Sequence, residues 1–219
     1  MDARQSAKKL FRRYAGFFNR IPLLNSIRNL GRNNSFVLDK PMIRCRIICR
    51  GNNNRVILQR DGGLDRCTFL ITGDNNLVVI GNKTSAIRAT ICIEDSNNIV
   101  EIGDDCSLCG EVLLAACEQT EIRIDDGALF SSNIELRTSD SHTIFDENLK
   151  RINIAESINI GKRVWIGTDV HINKGVNIGN DCVVGNGSVV TKTFEDNNVI
   201  IAGNPAKIIK HKITWDKER

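Results

Sequence analysis

From Ile160 onward a large aliphatic residue returns at every sixth position: Ile166, Ile172, Ile178, Val184 and Val190. Four residues after each stands a smaller or more compact side chain: Val164, Val170, Val176, Cys182 and Ser188, with Phe194 closing the series as its largest member. Gly follows at once at Gly161, Gly167, Gly179 and Gly185. A helix would repeat its apolar face at 3.6 residues and a simple strand at 2. A fixed period of six over more than thirty residues predicts a parallel β-helix, each hexad forming one flat side of a coil. The aliphatic residue is expected to point into the tube, with Gly or Asn near the corner tolerating the turn.

A second repeat precedes the first. The segments beginning at Gly51, Gly73, Asp95 and Cys117 start 22 residues apart, with Asn53, Asn75 and Asn97 aligned, and likewise Asn54, Asn76 and Asn98. Asn accepts left-handed backbone geometry, and stacked Asn side chains can bond along a coil axis. The early coils therefore read as three hexads plus about four turn residues, and the later ones as three bare hexads. The solenoid is expected over residues 36–205. Its beat fails between Arg137 and Ser157, so residues 137–157 are predicted to leave the tube as an exposed loop, where functional residues concentrate. Residues 206–219 form a C-terminal tail.

The first 35 residues differ. Eight Lys or Arg against Asp2 give residues 1–32 a formal charge of +7, while the whole chain carries only +4. Leu10, Phe11, Tyr14, Phe17, Phe18 and Ile21 recur at helical spacing among basic residues, and Pro22 stops the pattern. This predicts a basic amphipathic helix, with a second short helix at 23–30. Two roles stand open: a cap over the first coil, which is preferred, or a peripheral membrane contact through residues 1–32 facing anionic lipid. No basic stripe with interleaved aromatics continues through the body, so nucleic acid is not an expected partner.

Aromatics make up only 5 % of the chain, as a thin core of aliphatic residues would require. No apolar run approaches a membrane span, and the eight cysteines fit a reducing cytoplasm, with the inner face of the membrane as the site of any lipid contact. Cys106 and Cys109 are formally a CxxC, but no second pair or close His pair accompanies them, so no metal is expected. Cys106 and Cys182 fall at the compact interior position of a hexad. Of the three histidines, His211 lies in a Lys-rich tail and His171 at an outward hexad position. His142 belongs to the one loop that breaks the solenoid, with Asp140 and Asp146 nearby. An imidazole near its ordinary pKa suits removal of a proton from a hydroxyl.

The hexads at 160–190, the run Val164, Trp165, Ile166, Gly167, the run Val189 to Lys192, and the closing segment Ile201 to Lys207 resemble the hexapeptide-repeat acyltransferases with a left-handed β-helix. The loop Ser139 to Asp146 further resembles the branch that O-acetylates capsule, O-antigen and sialic-acid polysaccharides. The left-handed sense comes from the resemblance alone, because parallel connections are ordinarily right-handed. It implies an acetyl-CoA-dependent O-acetyltransferase and a homotrimer with the donor bound between neighbouring chains. His142 is then the general base, oriented by a backbone carbonyl or by a carboxylate, for which Asp140 and Asp146 are the candidates. Trp165 is expected to donate a hydrogen bond to the oxyanion or to wall the acceptor pocket; packing at an interface is the other reading of so large an outward residue. The donor arm would pass Gly185, Ala202 and Gly203, with Lys192, Lys207 and Lys210 placed for phosphates. Some members acting on small sugars or antibiotics carry Pro soon after the His; Thr143 here points away from them.

Other readings remain within reach of the same fold. One is N-acetylation of a nucleotide-linked amino sugar, or acetylation of serine; another is a non-catalytic β-helix that organises a polysaccharide complex. A trimeric metal-dependent carbonic anhydrase is rejected, because its close His pair is missing: the histidines here are spaced 29 and 40 apart.

Overall fold

A computed structural model describes Ala15, Asn19 and residues 24–218. The expected basic amphipathic helix otherwise lies outside the described residues. What is described of it bears on the cap. Ala15 and Asn19 are buried and joined by a backbone hydrogen bond of 2.8 Å. The Asn19 amide donates to the carbonyls of Leu38 and Lys40 and accepts from the Met42 N–H, so it satisfies backbone groups that a first coil would leave unpaired. Among the described residues no helix is long and apolar enough to cross a membrane.

The chain winds through three sheets in turn, of eight, seven and nine strands. An early coil passes Arg46–Arg50 in the first sheet, Arg55–Leu58 in the second and Gly63–Asp65 in the third. Each strand pairs in parallel with its counterpart one coil on: Val56 opposite Val78, Val78 opposite Val100, Val100 opposite Ile122. That advance of 22 becomes 18 in the rear, where Asn159 faces Asn177. The strands shrink accordingly, to the two residues of Val183–Val184 and Val189–Val190. Every interior hexad position from Ile160 to Val190 is buried, as are Val164, Val170, Val176, Cys182, Ser188 and Phe194. Inward side chains alternate with outward ones along each strand, and parallel stacking places them in columns that fill the prism.

The Asn columns form as the repeat predicts. Asn53, Asn75 and Asn97 all have positive φ, near 60°. Asn54, Asn76 and Asn98 point inward, and each carboxamide oxygen accepts the backbone N–H of the residue one coil on, at 2.8–3.0 Å, ending at Thr120.

Four expectations need correction. The second short helix expected at 23–30 is not formed over the described residues 24–30: Ser26–Asn29 is a strand paired with Arg46–Cys49, because the exposed edge of the next coil offers its backbone bonds there. The first strand of the coil thus lies ten residues ahead of the expected onset at 36. The glycines after the aliphatic positions do not make the turn. Left-handed φ falls instead at Arg163, Asp169, Gly175, Asp181 and Gly187. Gly161, Gly167 and Gly179 are required by close stacking: a Cβ on Gly167 would stand 2.2 Å from the Asn186 carboxamide oxygen. Finally, residues 206–219 are not a loose tail. Ala206–His211 pairs antiparallel with Val199–Gly203 after the turn at Asn204 and Pro205, and residues 212–218 run back along the third sheet.

One buried residue carried no signal in the hexad pattern. Lys40 occupies the compact interior position taken by Gly62, Thr84 and Cys106 in later coils, and it is fully buried. Its ammonium donates to the Asp61 carbonyl. Burial pulls its pKa down to about 8, against the opposing pull of Asp61 and Asp104.

Candidate active site

The strand Ile134–Arg137 ends the first sheet of its coil, and the second sheet resumes only at Ile158–Ile160. Between them residues 138–157 leave the prism at the corner joining those sheets. Ile134 faces Val170, an advance of 36, twice the rear coil length of 18. His142 stands exposed on this excursion. Its backbone is fixed from within the loop. Buried Asn153 donates to the His142 carbonyl at 2.7 Å and to Asp140 Oδ2 at 2.9 Å, and its oxygen accepts the Ile144 N–H at 2.7 Å.

Neither expected carboxylate orients the imidazole within one chain. Asp140 is held by Lys174 and Asn153, and the Lys174 ammonium followed by Asn153 holds its carboxyl below the ordinary Asp value. Asp146 instead closes the loop's own turn, accepting the N–H groups of Asn148 and Lys150 at 2.9 Å. A groove of about 480 Å³ opens beside His142, lined by Arg137, Ser139, Asp140, Asn173 and Lys174.

The loop is tied to neighbouring coils by residues that sequence reasoning passed over. Glu118 accepts from Arg151 at 2.8 Å and from the Ser139 hydroxyl at 2.7 Å, and these two, Arg151 first, hold its carboxyl below the ordinary range. Lys174 comes from the next corner of the same edge. A signal existed for Glu118. It breaks the column of short side chains formed by Asn52, Asp74 and Ser96 at the 22-residue repeat.

Trp165 lies elsewhere. It points outward from Trp165–Ile166 in the third sheet, 38 % exposed, whereas the His142 loop emerges between the first and second sheets. The body of the prism therefore separates them within one chain. Trp165 packs against Trp215, ring centroids 6.1 Å apart and tilted by 43°. The expected donor residues divide in the same way. Gly185, Ala202 and Gly203 follow the third sheet's strands, and a Cβ on Gly185 would meet that of Ala202 at 3.0 Å, which leaves a smooth lane there. Lys207 pairs with Ala202, and Lys210 with Ile200, so both accompany the lane; both are exposed. Lys192 does not join them. It follows Val189–Val190 on the corner that carries His142, its ammonium 5.5 Å from the Phe194 ring.

The remaining candidates serve the scaffold. Cys106 and Cys182 are buried, and burial raises both thiols, while Cys109 faces outward and so shares no site with Cys106. His171 faces Glu135 at 3.2 Å on the outside of the first sheet, and His211 is exposed. Among the described residues no group of three or more His, Cys, Asp or Glu gathers at metal-binding distance.

Residues 157–192 match the family described as bacterial transferase hexapeptide (six repeats). Among solved structures, the chain is similar to the polySia specific acetyltransferase NeuO, with 34 % identity over 89 % of this chain and 83 % of that one, and a TM-score of 0.78. It is similar also to the polysialic acid O-acetyltransferase OatWY, with 29 % identity over 90 % of this chain and 92 % of that one, and a TM-score of 0.80. The three-sheet coil thus matches the left-handed β-helix of acetyltransferases. Comparison with curated proteins found no match.

Proposed function

The chain belongs to the hexapeptide-repeat acyltransferases, and on that premise we propose that it moves an acetyl group from acetyl-coenzyme A to a sugar hydroxyl of a bacterial surface polysaccharide or its precursor. The observation that carries this reading is the likeness, along nine-tenths of the chain, to an acetyltransferase specific for a sialic acid polymer.

In this reading His142 takes the proton from the acceptor hydroxyl as its oxygen attacks the thioester carbonyl. The C–O bond forms, the C–S bond breaks, and the imidazolium returns its proton to the departing thiolate. A base of this kind contributes about 10²–10⁴ in rate. The negative oxygen of the intermediate needs a fixed donor, which we assign to Trp165 through its backbone or indole N–H. Because the prism body stands between His142 and Trp165, a site containing both is completed by a second copy of the chain. A homotrimer supplies such sites by rotation. The lane at Gly185, Ala202 and Gly203 suits the donor's narrow arm, and Lys207 and Lys210 suit its phosphates. Lys192, on the His142 corner, would meet the donor only from the adjoining chain. We place the enzyme in the cytoplasm, where acetyl-coenzyme A is made.

The test is acetyl transfer to a panel of sialic acid polymers, neutral glycans, amino sugars and serine, read as coenzyme A release and as acetylated product by mass. Polymer O-acetylation is expected, and His142→Ala should lower kcat by about 10²–10⁴ with folding and coenzyme A affinity unchanged. Full activity in that variant would remove His142 from the mechanism.

A further inference from the structure

Charge is spread unevenly along the prism. Residues 24–60, which wind through the first two coils, carry eight Lys or Arg against Asp39 alone, a formal +7, whereas residues 61–219 sum to −8. Lys40 is buried, so seven exposed arginines present this charge. They encircle the axis. Arg28, Arg46 and Arg50 point outward from the first sheet, and Arg55 from the second. Arg32, Arg60 and Arg44 stand at the three corners in turn. Among the described residues only Arg60 meets an acid, the exposed Asp39 at 3.8 Å. Of the acids that follow, Asp65 is held by Arg66 at 2.7 Å, Asp74 accepts the Asn52 N–H at 2.6 Å, and Asp61 stays exposed.

The same end exposes apolar side chains. Leu24, Leu30, Val37 and Ile43 are 36–59 % exposed, and all four belong to the first coil. They are not a spilled core, because Asn19 closes the mouth of the prism through the backbone of Leu38, Lys40 and Met42. An apolar rim is thus followed, one coil farther in, by most of the arginines. Neighbouring coils are about 4.8 Å apart, so the two rings span a depth of about 10 Å. That is the depth over which a peripheral protein sinks apolar side chains into the headgroup region and sets cations on phosphates. A polyanionic chain lying along the prism would instead need cations stacked down one face. These arginines lie on all sides at similar height, and a plane crossing the axis meets them together. Guanidinium suits lipid phosphate through paired N–H bonds.

We propose that the first two coils are a docking surface for an anionic phospholipid bilayer, with the apolar rim at the acyl boundary and the arginines on the lipid phosphates. This surface belongs to the prism itself, beyond the basic stretch of residues 1–23, and it stands independently of the acetyl-transfer reading. The strand that leads to His142 lies four pairings beyond Arg46, so an acceptor would be met about 20 Å from the headgroups.

The test is flotation of the full-length protein with vesicles of phosphatidylglycerol and phosphatidylcholine, and with phosphatidylcholine alone. Wild type is expected to float with the anionic vesicles only, less so as salt is raised. A variant combining Arg28→Gln, Arg46→Gln, Arg50→Gln and Arg55→Gln should partition at least about tenfold more weakly at an unchanged melting temperature. Should it fail to fold, Arg46→Gln and Arg55→Gln are tested singly, each with an expected loss of about fivefold. Leu30→Ser with Val37→Ser and Ile43→Ser should weaken binding several-fold; unchanged binding there would overturn the seating of the rim. Binding kept by the arginine variant but lost with Arg12→Gln and Arg13→Gln would assign the contact to residues 1–23 and overturn the proposal. So would a wild type that ignores both vesicles. Soluble sialic acid oligomers that bind wild type but not the arginine variant, with no vesicle binding, would give the surface to a glycan instead.

Discussion

Asn153 uses both ends of its carboxamide to hold the backbone on either side of His142, and it does so while buried. Its replacement by Ala leaves the Ile144 N–H and the His142 carbonyl without these partners, a local cost of about 1–3 kcal/mol. The loop lies outside the core, so Asn153→Ala should lower kcat about tenfold or more with little change in melting temperature. Hydrogen exchange should show protection lost over residues 139–153 alone; a global loss would contradict this. The neighbouring ion pairs set no limit at neutral pH. Asp140 and Glu118 have lowered folded pKa values, so their contribution is complete above the ordinary carboxylate range and fades only as pH falls below about 4. His142 was legible because the hexad beat fails around it. Its supports were not, because Glu118 and Lys174 come from adjacent coils while the nearest carboxylates in sequence, Asp140 and Asp146, are already committed to other partners.

At the scale of the coil, two periodicities disclosed the prism, yet the reason for individual residues came only with stacking. Gly167 is small because Asn186 of the next coil presses on it, and no pattern within one hexad contains that neighbour. Lys40 is the sharper case. A hexad reading places a compact residue there, whereas the lysine is buried with its ammonium donating to the Asp61 carbonyl of the next coil. Its folded pKa of about 8 lies below the ordinary value of 10.5, so between those values the unfolded chain binds more protons. Stability should therefore rise as pH climbs from about 8 to 10.5, as Lys40 loses a charge that burial disfavours. Thermal melts of wild type and Lys40→Met across this range provide the check. The variant is expected to be more stable at pH 7, with the difference closing as pH rises; a constant difference would assign Lys40 a packing role alone.

Across the whole molecule, the sequence disclosed a solenoid and its one large interruption, but not the distance between the two residues most expected to act together. His142 and Trp165 are on opposite sides of one prism, a consequence of which sheet each coil segment enters. Single-chain reasoning from spacing has no access to that. In the proposed reaction the site is therefore shared by two copies. The most direct measurement is co-expression of two differently tagged variants, His142→Ala and Trp165→Ala, each nearly inactive alone. If each site takes its histidine from one chain and its tryptophan from the next, randomly mixed trimers contain intact sites at roughly one quarter of their interfaces, and that share of wild-type activity should return. Mixed trimers as inactive as either parent would contradict the shared site.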